Sequence, residues 1–168
     1  MAALEMGVEQ RADVVCLQEP PRDREGVGCS HPAYDIRRTK RVWTAVHLGT
    51  GLTTNEQTDF SKNAVSDVNV VDIEKRGDKM TRIVNTYDQR DGEIRWRPAR
   101  RLDWQRIIRQ GGGGTVLGGD VNAHSQHWDP RCTERRDCTY WEEIIDEHGL
   151  VIGNWKWRSR RIQGAHKS

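Results

Sequence analysis

Apolar residues fall in short runs along the chain, separated by charge, glycine or proline, and the period of each run suggests an element. Leu4 and Val8 lie four apart among good helix formers, which predicts a helix from Leu4 to Arg11. Asp13-Val14-Val15-Cys16-Leu17-Gln18-Glu19 is an apolar run that ends on a carboxylate and is stopped by Pro20-Pro21. It predicts a strand buried on both faces, with Glu19 at its C-terminal edge. Charge, Gly26, Gly28 and Pro32 predict a surface loop from Arg22 to Lys40. Strands are expected at Val42 to Leu48, Val68 to Glu74 and Thr81 to Tyr87, the last two joined by a hairpin at Lys75-Arg76-Gly77-Asp78.

Pro98 suits the first position of a helix from Ala99 to Gln110, where Trp104, Ile107 and Ile108 share a face and Gly111 to Gly114 form the stop. Gly111 to Gly114 lacks the Lys-Ser/Thr of a phosphate-cradling loop and precedes a strand, so it is expected to be a linker. Thr115-Val116-Leu117-Gly118-Gly119 predicts a second short buried strand that delivers Asp120 and Asn122 at its end. Thr139 to Glu147 reads as a helix with Trp141, Ile144 and Ile145 inward and Gly149 as its stop, and Val151-Ile152 as the start of one more strand. Strands alternating with helical segments imply an α/β layered fold, and the hairpin makes its sheet mixed.

Composition narrows the class. The chain has 168 residues, 35 % hydrophobic and 31 % charged, with a mean hydropathy of −0.87, and holds no apolar run near the roughly 18 residues of a membrane span. One domain, residues 1–155, and a basic C-terminal tail, residues 156–168, are expected. Glu5 stands where a secretory signal is basic and then apolar, so no export signal is read. The four cysteines, Cys16, Cys29, Cys132 and Cys138, are too few and too scattered for a disulfide framework, which suggests a reducing compartment. The net charge of +2 conceals 21 arginines against 6 lysines, a bias towards polyanionic partners. Arg95, Trp96, Arg97, Arg100 and Arg101 interleave basic and aromatic residues as phosphate binding with base stacking requires, a pattern that a solvated helix face with a core tryptophan also produces.

The candidate chemistry lies where two apolar strands end. Strand ends in open sheets converge on one crevice, and convergent carboxylates there suit a hard cation that needs few protein oxygens. Glu19 with Asp120 and Asn122 meets that need, although an acid after a strand equally caps the next turn. Spacing alone leaves both readings open.

The wording of the two segments goes further. Ala12-Asp13-Val14-Val15-Cys16-Leu17-Gln18-Glu19-Pro20 and Gly118-Gly119-Asp120-Val121-Asn122-Ala123-His124 resemble the endonuclease/exonuclease/phosphatase superfamily. Within it, Val84-Asn85-Thr86-Tyr87-Asp88-Gln89, Trp128-Asp129-Pro130-Arg131, Tyr140-Trp141 and His148-Gly149-Leu150 are similar to the endonuclease domain of non-LTR retrotransposons. The resemblance implies a four-layer α/β sandwich with mixed β-sheets, here in an incomplete version, that cuts one DNA strand with Mg²⁺, or Mn²⁺ in its place, in the nucleus. It implies that Glu19 is the metal ligand, that Asp120 activates the attacking water, that Asn122 holds the phosphate or water in line and that the Tyr87 hydroxyl contacts the phosphate. Asp88 departs from an asparagine common in the superfamily. The family's first strand, with its asparagine ligand, and its closing Asp-His pair have no counterpart, since no Asp or Glu follows Glu147.

Groups that act as one catalytic unit lose most of the rate when any is removed, so weak or absent cleavage is expected, or a remnant that binds nucleic acid or protein without cutting. Exposed sheet edges are expected to favour a homodimer. His124, His127, Cys132 and Cys138 suggest a zinc site only loosely, because their spacing is irregular and the resemblance implies no zinc there.

Overall fold

The computed structural model describes residues 2–20, 30–39, 41–58, 60, 68–88, 102–109, 114–133 and 138–153. The chain divides into two compact units, Met1–Asn122 and Ala123–Ser168.

The first unit holds seven described strands in two sheets. β1 (Val14–Gln18), β2 (Tyr34–Arg38) and β3 (Val42–His47) form an antiparallel sheet in the order β1-β3-β2. β4 (Leu52–Glu56), β5 (Val68–Lys75), β6 (Thr81–Tyr87) and β7 (Thr115–Asp120) form a second sheet in that order, antiparallel except for the parallel β6–β7 pair. Helix α1 (Ala2–Glu9) covers one face of the first sheet, where Leu4, Tyr34 and Ala45 pack with Val15, Leu17 and Ile36. The opposite face of that sheet lies on the second sheet. Helix α2 (Trp104–Arg109) is tied to the far face of the second sheet by Arg82, which donates to the Ile107 carbonyl at 2.9 Å. Helix, sheet, sheet and helix make a four-layer sandwich with a mixed sheet, as the resemblance implies.

Alternation along each strand sorts its residues between the layers. On β6, Arg82, Val84 and Thr86 face α2, while Ile83, Asn85 and Tyr87 face the first sheet. On β3, Val42, Thr44 and Val46 turn towards the second sheet, and all three are buried. The hairpin between β5 and β6 closes with the Asp78 N–H donating to the Lys75 carbonyl at 2.8 Å and Gly77 at a φ of 90°. That left-handed turn suits glycine.

Some expectations are corrected. The loop predicted from Arg22 to Lys40 contains β2, in which Tyr34 and Ile36 alternate with Asp35 and Arg37. Those charged residues are satisfied across the sandwich by Thr54 of β4, a strand the apolar pattern misses: Arg37 donates to the Thr54 hydroxyl at 3.0 Å, and that hydroxyl donates to Asp35 at 2.9 Å. β1 and β7 are half-buried edge strands rather than fully buried ones, and Val116 of β7 is 54 % exposed. Val8 of α1 faces solvent, and the helix packs through Leu4 and Gly7 instead. A side chain at Gly7 would put its Cβ 2.6 Å from the Tyr34 hydroxyl, so glycine sets how closely α1 approaches the sheet. Residues 151–153 carry no regular structure, against the strand expected at Val151-Ile152.

In the second unit, α3 (Thr139–His148) buries Trp141 and Ile144 and stops at Gly149, whose φ is 61°. Its N–H reaches the Asp146 carbonyl at 3.3 Å, and the Leu150 N–H reaches that of Ile145 at 2.9 Å, closing the helix as Gly149 predicts. Buried Ser125 donates to the buried Glu142 carboxylate of α3 at 2.5 Å.

Candidate active site

The site is built from the ends of three strands of the first unit. Glu19 follows the last residue of β1, and its N–H donates to the Arg41 carbonyl at 2.8 Å, which ties it to the start of β3. Tyr87 closes β6, and the parallel register sets it beside Asp120, the last residue of β7. The ladder runs one step further, with the Asp88 N–H donating to the Asp120 carbonyl at 2.8 Å. The Asp120 carboxylate accepts the Asn122 N–H at 2.9 Å, so the chain turns at once and Asn122 comes back towards the strand ends.

Glycine makes that pairing feasible. Gly119 holds a φ of 148°, and a Cβ there would lie 2.0 Å from the Thr86 carbonyl oxygen. Glu19 and Asn122 also occupy the left-handed region, at φ 46° and 47°. For asparagine this is common, but for glutamate it is an outlier of the kind that gathers at functional sites.

The Tyr87 hydroxyl is where these groups meet. The ring is buried, and burial is the main reason that its phenol is pushed above its ordinary range. Its hydrogen bond to the Glu19 carboxylate and the charges of Glu19 and then Asp120 push the same way, while a hydrogen bond from the Asn122 side chain opposes them. Tyr87 is therefore a neutral donor at neutral pH, held among two carboxylates and an amide. Glu19 and Asp120 are themselves exposed, so their oxygens are open to an incoming ligand.

All four candidate residues, Glu19, Tyr87, Asp120 and Asn122, are thus brought together. Arg95, Trp96, Arg97, Arg100 and Arg101, and the basic tail, lie outside the described residues. Asp88, which stands where the superfamily commonly has asparagine, is fully buried. Among the described residues no group of three or more His, Cys, Asp or Glu is arranged to hold a metal, and His124, His127, Cys132 and Cys138 are no exception. Sequence reasoning gave no role to Gln18 and Asn85. The Gln18 amide donates to the Asn85 side-chain oxygen at 2.6 Å, and the Asn85 amide donates to the carbonyls of Trp43 at 2.8 Å and Leu17 at 3.4 Å. Asn85 shares the strand face of Tyr87 two positions on, but that spacing does not by itself tell a buried polar residue from a solvent-facing one.

Residues 3–160 match the Endonuclease/Exonuclease/phosphatase family. The chain belongs to this family. Its fold is similar to a solved structure described as the endonuclease domain of TRAS1, a telomere-specific non-LTR retrotransposon, with a TM-score of 0.59 and 20 % identity. The likeness covers 88 % of this chain and 63 % of that one, so the chain spans less than two thirds of that domain. No curated protein matches the chain. Family and fold together give this chain a hydrolase-type fold, that of the nucleases and phosphatases.

Proposed function

We propose that the chain carries the hydrolytic site of a Mg²⁺-dependent DNA endonuclease of retrotransposon origin, acting on nuclear DNA. The observation that supports this reading is the meeting of Glu19, Asp120 and Asn122 at the hydroxyl of Tyr87. Two exposed carboxylates and an amide are an all-oxygen set, which suits Mg²⁺ or Mn²⁺, ions that take few protein ligands and complete their shell with water and phosphate. Glu19 is the proposed ligand. When bound, the ion would polarise a phosphate oxygen and steady the leaving oxygen.

The chain's own residues supply the rest. Asp120 accepts a proton from water as the water oxygen forms its bond to phosphorus and the bond from phosphorus to the leaving oxygen breaks. Asn122 orients that water or the phosphate. Tyr87, neutral at the pH of the reaction, donates to a phosphate oxygen and discourages a charged phenolate beside the anion. The proposed DNA contacts outside the site are Arg95, Trp96, Arg97, Arg100 and Arg101, with phosphate as the main target.

A second reading is a member of the family that binds nucleic acid without cutting. Nicking of supercoiled plasmid in Mg²⁺ tests the proposal. Slow nicking that disappears in Asp120→Ala supports it, nicking that survives that substitution contradicts it, and DNA binding with no nicking selects the second reading.

A further inference from the structure

The facing sides of the two sheets bury aliphatic residues, among them Val42 and Val46 on one side and Val71 and Ile83 on the other. Such contacts are non-directional and set no single alignment between layers. Directional links cross between the sheets in two places: the Asp35, Arg37 and Thr54 set, and Asn85, which lies nearer the site. Asn85 is fully buried, and all three of its side-chain hydrogen bonds cross from the second sheet to the first. Its amide bridges the carbonyls of Leu17 and Trp43, which are partners on one rung of the β1–β3 ladder. Its oxygen takes the Gln18 amide from the next rung.

The placement relates this link to the site. Gln18 is the residue before Glu19, and Asn85 lies two positions before Tyr87 on the same strand face. A slip of β1 along β6 would therefore break this link as it drew Glu19 away from Tyr87. We propose that the Gln18–Asn85 pair is a positioning device that fixes Glu19 against Tyr87 across the two sheets. Neither residue touches a reacting group; both act through the pair they align, and the metal consequence rests on the function proposed above.

The test compares the full chain with Gln18→Met and Asn85→Val, folding being checked by circular dichroism. The nuclear Overhauser contact between the Tyr87 ring and the Glu19 side chain reports the alignment, and Mn²⁺ binding reports its consequence. Folded variants are expected to lose the Tyr87–Glu19 contact and to bind Mn²⁺ about tenfold more weakly, the usual effect of removing a residue that orients a ligand. A folded variant that keeps the contact overturns the proposal. So does an unchanged Mn²⁺ affinity where the wild type binds through Glu19. If Asn85→Val fails to fold, the half-buried Gln18→Met decides; if both fail, the pair serves the fold alone and the proposal falls. A wild type whose Mn²⁺ binding ignores Glu19→Gln sinks the endonuclease reading instead, and the Tyr87–Glu19 contact still judges the alignment.

Discussion

Among the described residues, Gly119 carries the sharpest local demand. Its φ of 148° and the 2.0 Å approach of a virtual Cβ to the Thr86 carbonyl leave no room for another residue, because the obstacle is backbone. Gly119→Ala is expected to cost more than about 3 kcal/mol, combining a clash with a forbidden conformation. A drop in the urea midpoint checks this, and unchanged stability would refute it. Cys16 faces the second sheet beside Gly118, and burial pushes its thiol up to about 11. It is expected to resist alkylation at pH 8 in the folded chain.

The pKa shift of Cys16 also fixes a sign. A thiol whose folded value is raised above 9.0 binds its proton longer in the native state, so its stability contribution is complete below pH 9 and is lost as pH rises towards 11. Cys16→Ala should flatten that decline in denaturation curves taken across this window. At the residue scale, Glu19 and Asp120 were picked out by the wording of the segments around them, because an acid after an apolar run equally caps a turn. Asn85 was not, because a polar residue in a strand looks like a solvent-facing one until a second sheet is laid on it.

Elements were read well where one apolar face dominates. β5, β6 and α3 lie where their patterns place them, and the turn at Gly77 is the one that Lys75-Arg76-Gly77-Asp78 suggests. β2 and β4 escaped because the positions that link the two sheets, Asp35, Arg37 and Thr54, are polar and find their partners in each other. That compensation depends on tertiary structure and leaves no local pattern.

The same principle holds on the far side of the second sheet. Arg82 and Asp72 form a buried two-pronged pair at 2.7 and 2.8 Å, with the guanidinium also reaching the Ile107 carbonyl. Arg82 and Arg106 both lie over the Phe60 ring, 5.3 and 5.0 Å from its centroid, so one buried charge helps dock α2. Removing one partner strands the other charge. Asp72→Ala is therefore expected to cost about 3–5 kcal/mol in thermal or chemical unfolding, and a loss below about 1 kcal/mol would contradict this account of α2 docking.

At the scale of the whole molecule, the four-layer order was legible from the motifs, not from the periodicity of any one segment. The chain's place in the Endonuclease/Exonuclease/phosphatase family agrees with it. None of its described helices is long and apolar enough to cross a membrane. β1 and β7 stand at the edges of their sheets, and Val116 on β7 is exposed. Edges of this kind invite pairing, so concentration-dependent self-association is expected in light scattering, and a monomer at every concentration would speak against it. The central claim is the proposal for the site: Glu19 and Asp120, delivered by strands of different sheets, serve one divalent ion, Glu19 as its ligand and Asp120 as the base for the water beside it. Titrating Mn²⁺ into the full chain while following the relaxation of water protons measures this most directly. The account predicts a single bound ion, held at least about tenfold more weakly in Glu19→Gln. Binding that is absent from the wild type, or indifferent to that substitution, would contradict it.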